Sequence, residues 1–127
     1  MGSLNMEGPF DFNINSIDIN VNKVCGGNYA LGTEDKITSN FHVTYVGRSD
    51  SDLNNKLKKK LSQTKSIVSK FEQKNISFKY SYAFSPKEAF DKECYNYHSF
   101  VRSKKLTNNI HPEKPKDVSC MCPVCNE

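Results

Sequence analysis

Ile76 to Phe84, "ISFKYSYAF", alternates without a break: Ile76, Phe78, Tyr80, Tyr82 and Phe84 fall on one face, and Ser77, Lys79, Ser81 and Ala83 on the other. Only an extended chain has a side-chain period of two, so this run is read as a strand with one apolar face to bury. A strand needs partners for its backbone groups as well. In a chain of 127 residues those partners belong to one domain with a modest core, one that buries roughly 65–70% of the surface exposed by the unfolded chain. Hydrophobic residues make up 36% and Trp is absent, so the core has little to spare and invites a staple.

Two upstream segments supply the partners. "GNYALG" and "FHVTYV" read as strands, the second with Phe41, Val43 and Tyr45 on one face, and the polar "TEDKITSN" between them reads as a hairpin connection. "SDSDLNNKLKKKLSQTKSIVSKF" follows, with Ser and Asp as N-cap candidates and Leu53, Leu57, Leu61, Val68 and Phe71 at helical spacing; a break is expected near Ser62-Gln63. Ser85-Pro86 opens a second helix with proline at its first position, running to about Phe100. Near the N-terminus, Phe10, Phe12 and Ile14, then Ile17, Ile19 and Val21, alternate as two strand-like pieces whose phase slips at Asn15-Ser16. The nine residues before them read as unstructured. The expected architecture is α+β: a small three-stranded, mainly antiparallel sheet flanked by helices in the order ββαβα. An N-terminal strand-like extension (residues 1–24) precedes the main domain (25–127), which ends in a metal-bound loop.

Several function classes are set aside by composition. No run of about 18 apolar residues is present, and the N-terminus lacks the basic-then-apolar pattern of a signal peptide, so no membrane partner is expected and the cytoplasm is the expected compartment. The net charge of +4 is modest, but seven lysines lie between Ser51 and Asn75 (Lys56, Lys58, Lys59, Lys60, Lys65, Lys70, Lys74) against Asp52 and Glu72. Such a concentration is either a solvated helix face or a footprint for a polyanion.

The five cysteines are an odd number, and three of them are packed into "CMCPVC", which fits metal ligation in a reducing compartment better than a disulfide framework. Cys122 and Cys125 offer two thiolates at the spacing of a tetrahedral site. Cys94 and His98 stand at i and i+4, on one face of the second helix. Together they form an expected Cys3His structural Zn²⁺ site, with His111, Cys120 and Cys25 as rival ligands. Glu93 points about 100° away from Cys94, so a second metal there would not compete.

The order "GNY", hairpin, "YVGRSDSDLNNKLKKKL", strand, "AFDKEC" resembles the GIY-YIG endonuclease superfamily over residues 27–109. The resemblance implies a metal-dependent endonuclease acting on nucleic acid, with DNA as the expected substrate. Gly27-Asn28-Tyr29 fills the first motif, with Asn where the family has an apolar residue, and Tyr45-Val46-Gly47 fills the second. Lys56 falls where the family has an arginine on the scissile phosphate, Lys60 one turn later, Glu93 at the ligand of a catalytic Mg²⁺ (or Mn²⁺), and Asn108 or Asn109 at an asparagine after the second helix. Within that scheme Tyr29 is the expected base, Tyr45 positions water or phosphate, Gly47 lets backbone approach the substrate, and Arg48 backs up Lys56, which lacks the planar fork suited to phosphate. One carboxylate is enough for Mg²⁺, which keeps most of its waters. A lone module of this kind usually needs dimerisation to cut both strands, so a homodimer is an expected partner. The competing expectations are a zinc-stabilised nucleic-acid-binding module without catalysis and a zinc-knuckle interaction protein.

Overall fold

The computed structural model describes residues 4–35, 37–67, 76–101, 106–108, 111–115 and 121–125. The alternating run forms a strand over Ser77–Tyr82, and it lies inside a sheet, with neighbours on both sides. In chain order the elements are β1 (Glu7–Asp11), α1 (Ile14–Asn20), β2 (Gly27–Glu34), β3 (Phe41–Ser49), α2 (Leu53–Ile67), β4 (Ser77–Tyr82) and α3 (Pro86–Phe100). The fold is α+β, and the sheet runs β1-β4-β2-β3 with every pair antiparallel.

The sheet therefore has four strands rather than the expected three, because the N-terminal segment adds β1 to the edge of β4, with Phe10 opposite Phe78. The second strand-like piece is a helix. Asn13 caps it, its side chain accepting from the Ser16 amide at 2.8 Å, and Ile17 and Val21, one turn apart, are fully buried while Ile19 is 71% exposed. An i, i+4 pair around an outward Ile19 imitates alternation in a short window, and the cap decides for helix. The segment before β1 is also engaged: Leu4 is buried, and the Asn5 carbonyl accepts from Lys92 Nζ at 3.0 Å.

The helices divide the core between the two faces of the sheet. On one side α1 and α2 bury Ile17, Val21, Leu53, Leu57 and Leu61 against Tyr29, Leu31, Phe78 and Tyr80. On the other, Ala30, Val43 and Val46 meet Tyr97 and Phe100 of α3 together with Leu4 and Leu106. The β3 face pattern departs from expectation. Leu31 pairs with Tyr45 but Gly32 pairs with Val43, so Thr44 is the extra residue of a bulge. Phe41 and Val43 thereby turn to the α3 side and Tyr45 to the α2 side.

The helix ends follow their sequence signals. Ser85 caps α3 through the Glu88 amide at 3.1 Å, with Pro86 in the first turn. Ser49 Oγ accepts the Asp52 amide at 3.0 Å and Asp52 accepts that of Asn55 at 3.2 Å, which starts α2 directly after β3. That helix continues through Ser62-Gln63 without the expected break; Val68 and Phe71 lie outside the described residues. β4 ends at Tyr82, leaving Phe84 97% exposed rather than on the apolar face.

Candidate active site and metal centre

The end of β3 is where both faces of the sheet become accessible together. Tyr29, Tyr45, Gly47, Arg48, Ser49, Asp50, Lys56, Glu93 and Glu113 line one cleft of about 300 Å³. Of the sequence candidates, Tyr29, Tyr45, Gly47, Arg48, Lys56 and Glu93 are wall residues, and Lys60 stands beside them with its ammonium 3.7 Å from the centre of the Tyr45 ring.

Tyr29 and Tyr45 are stacked, with ring centres 6.1 Å apart and planes at 25°. Tyr29 is 1% exposed. Burial, then the charges of Tyr45 and Glu93, push its phenol well above the ordinary range. Burial and Glu93 also raise Tyr45, but the neighbouring Tyr29 hydroxyl acts the other way. Gly47 is required by the first ring: a Cβ there would lie 2.5 Å from Cζ and the hydroxyl of Tyr29, its cross-strand partner.

Arg48 crosses to the other face. It holds Asp50 through Nε at 2.8 Å and Glu93 through Nη1 at 2.5 Å, and its guanidinium lies 5.3 Å from the centre of the Phe90 ring. Burial raises Glu93 above the usual carboxylate range, with Arg48 opposing. Burial, then Lys56, lowers Lys60. Asn28, in the unusual middle position of the first motif, is 1% exposed and ties β2 to α3 by donating to the Ala89 carbonyl at 2.8 Å.

Asn108 does not line the cleft. It grips the outer edge of β3 at Val46 twice, accepting from its amide and donating to its carbonyl, each at 2.9 Å. Thr107 adds a backbone bond to the Thr44 carbonyl at 2.6 Å. The pair blunts an open strand edge and fixes the residues on either side of Tyr45. Asn109 lies outside the described residues.

A second cluster forms at the far end of α3. One ligand atom from each of His98, His111, Cys122 and Cys125 lies within 4.8 Å of all the others, a set that could hold a metal ion. The donors suit the group. Nε2 of His98 is buried without a hydrogen-bond partner, and Nδ1 of His111 donates to the Pro112 carbonyl at 3.0 Å, which leaves its Nε2 lone pair facing Cys125 Sγ at 3.3 Å. Burial opposes ionisation of Cys122, yet the Cys125 and Val124 amides, Cys94 and His111 bring its thiol down to about 6.

The expected donor set changes in one member. His111, a rival in the sequence reading, completes the group, and Cys94 is buried beside Cys122, its thiol raised by burial and by that neighbour. Cys25 is elsewhere, against the Ala83 carbonyl at 3.5 Å, and Cys120 lies outside the described residues. His111 stands thirteen positions after His98, too far for a helical spacing argument to join the two.

No family model, curated protein or solved structure matches the chain. No helix among the described residues is long and apolar enough to cross a membrane.

Proposed function

We propose that the protein is a metal-dependent endonuclease of GIY-YIG type that hydrolyses phosphodiester bonds of DNA at the cleft beside β3. One observation carries the reading: five residues expected from the motif resemblance, spread from Tyr29 to Glu93, line a single cleft of about 300 Å³ together with Arg48. Hydrolysis of a phosphodiester needs an activated water, relief of charge on the phosphate and a proton for the leaving oxygen.

Tyr45 is the better proton acceptor of the two tyrosines. It is half-buried where Tyr29 is fully buried, the neighbouring Tyr29 hydroxyl works against the rise of its phenol, and the Lys60 ammonium covers its ring. Lys56 and Arg48 present cations to the phosphate, and Tyr29 orients Tyr45. Glu93 is the candidate ligand for a hard divalent cation such as Mg²⁺ or Mn²⁺, which a carboxylate oxygen suits; when bound, such an ion supplies charge relief on the phosphate. The Cys/His cluster is read as a structural Zn²⁺ site, since four protein donors of this kind fill a tetrahedron.

The Arg48–Glu93 ion pair favours a second reading, a nucleic-acid-binding module without catalysis, because the guanidinium competes with a cation for the same carboxylate. A Mg²⁺-dependent plasmid-nicking assay on wild type and Glu93→Ala separates the two. The nuclease reading expects nicking by wild type alone; binding of DNA with nicking by neither protein sinks it.

A further inference from the structure

The cleft and the Cys/His cluster are joined by more than a shared helix. On α3, Glu93 lines the cleft while the next residue, Cys94, contacts Cys122, and His98 one turn on belongs to the cluster. Phe90, Cys94 and Cys122 form a closed core of their own, each 0% exposed. The Phe90 ring in turn carries Arg48, the residue that grips Glu93 and Asp50. On the tail, His111 is a cluster donor, and Glu113, two residues later, is a wall of the cleft. Pro115 is buried, and Thr107 and Asn108 hold the same tail on the β3 edge.

We propose that a metal ion held by His98, His111, Cys122 and Cys125 is a latch. It seats the tail as the outer wall of the cleft, and through Cys122 under Phe90 and His111 beside Glu113 it sets the position of the Arg48–Glu93 pair. The physical reason lies in what the donors do otherwise. A cation draws imidazoles and deprotonated thiols together that otherwise repel or compete for protons, so without it the group is freer to open, and when it opens, the three-residue core loses Cys122, one of its members. A cavity under Phe90 lets Arg48 relax away from Glu93. Glu113 leaves with the tail, so the latch deepens the nuclease reading by naming what regulates its cleft.

The test uses the full-length, isotopically labelled protein with one equivalent of Zn²⁺, then after stripping of zinc, with Mg²⁺ held constant. It reads the amide signals of Gly47 and Arg48 and the Arg48 Nε–H, with Phe10, Leu57 and Phe78 as references for the sheet and α2. Stripping is expected to shift or broaden the signals at Gly47 and Arg48 while the references hold, and to weaken binding of a fluorescein-labelled DNA duplex about tenfold. Unchanged signals at Gly47 and Arg48 after loss of the ion, or a protein that binds no zinc at these four donors, overturn the latch. Should stripping unfold the sheet too, Glu113→Gln decides, because it leaves every donor in place. It is expected to move the Arg48 Nε–H signal and to tighten duplex binding several-fold by removing a negative charge from the wall; no change in either overturns the tail as a wall. The signals report whether or not DNA is cut, so a protein that responds to zinc yet never nicks a plasmid refutes the nuclease reading and leaves the latch standing.

Discussion

Nη1 of Arg48 lies 2.5 Å from Oε1 of Glu93, and the two side chains are only 11% and 12% exposed. A charge pair this enclosed is held in balance: desolvation works against both members, and each is tolerable only while the other is present. Arg48→Met leaves Glu93 buried without its cation and is expected to cost about 3 kcal/mol. Arg48→Met combined with Glu93→Gln is expected to recover most of that loss. Chemical denaturation of the four proteins in a double-mutant cycle measures the coupling.

The same pair sets a pH signature. Burial outweighs Arg48 and holds the Glu93 carboxyl above its ordinary value of 4.5. A carboxyl raised on folding favours the folded state most at pH below 4.5, and that contribution is lost as pH climbs through the raised folded value. Wild type should therefore lose stability relative to Glu93→Gln as pH rises from 4 towards 7, and thermal melts of both proteins across that range check the sign. A difference that moved in favour of wild type would show that Arg48, not burial, dominates.

Tyr29 and Tyr45 are expected to separate under the same conservative change. Tyr45→Phe removes the proposed proton acceptor and should lower Mg²⁺-dependent nicking by roughly 10²- to 10⁴-fold. Tyr29→Phe keeps the ring stacked on Tyr45, removes only a neighbouring hydroxyl and should cost about tenfold at most, in keeping with roughly 1 kcal/mol for one polar contact. Equal losses in the two variants would refute the division of roles.

The ring of Tyr29 fills the space over Gly47, and this makes the glycine a packing requirement. Gly47→Ala brings a methyl to within 2.5 Å of that ring and is expected to destabilise by about 1–3 kcal/mol. In a Tyr29→Leu background the alanine should cost markedly less, because the obstructing hydroxyl end of the ring is gone. Denaturant midpoints for the two single variants and the double variant settle it.

Much of this site was legible from residue order. The helix carrying Glu93 announced itself through Ser85-Pro86, and β4 through its alternation, so the elements that carry Glu93 and back Tyr29 were found from local signals. Tyr45 was found as a residue, but its facing was not: a bulge at Thr44 turns it away from Val43, and a bulge leaves no mark in a run of alternating β-formers. Long-range choices were the least legible. Whether Cys94 or His111 completes the metal cluster depends on how the tail returns to α3, a packing decision that no spacing rule encodes.

The helix at Ile14–Asn20 provides the sharpest check on that lesson, because strand and helix assign opposite fates to neighbouring isoleucines. A strand would put Ile17 and Ile19 on one face. In the helix Ile17 is fully buried against α2 and β4, while Ile19 is 71% exposed. Ile17→Ala is expected to cost about 2–5 kcal/mol through lost burial and the cavity left behind. Ile19→Ala should fall within about 0.5 kcal/mol of wild type, as surface changes do, and alanine's helix propensity adds a small gain. At roughly 3–6 °C for each kcal/mol in a domain of this size, thermal melts separate the two without ambiguity. Comparable losses at both positions would restore the strand.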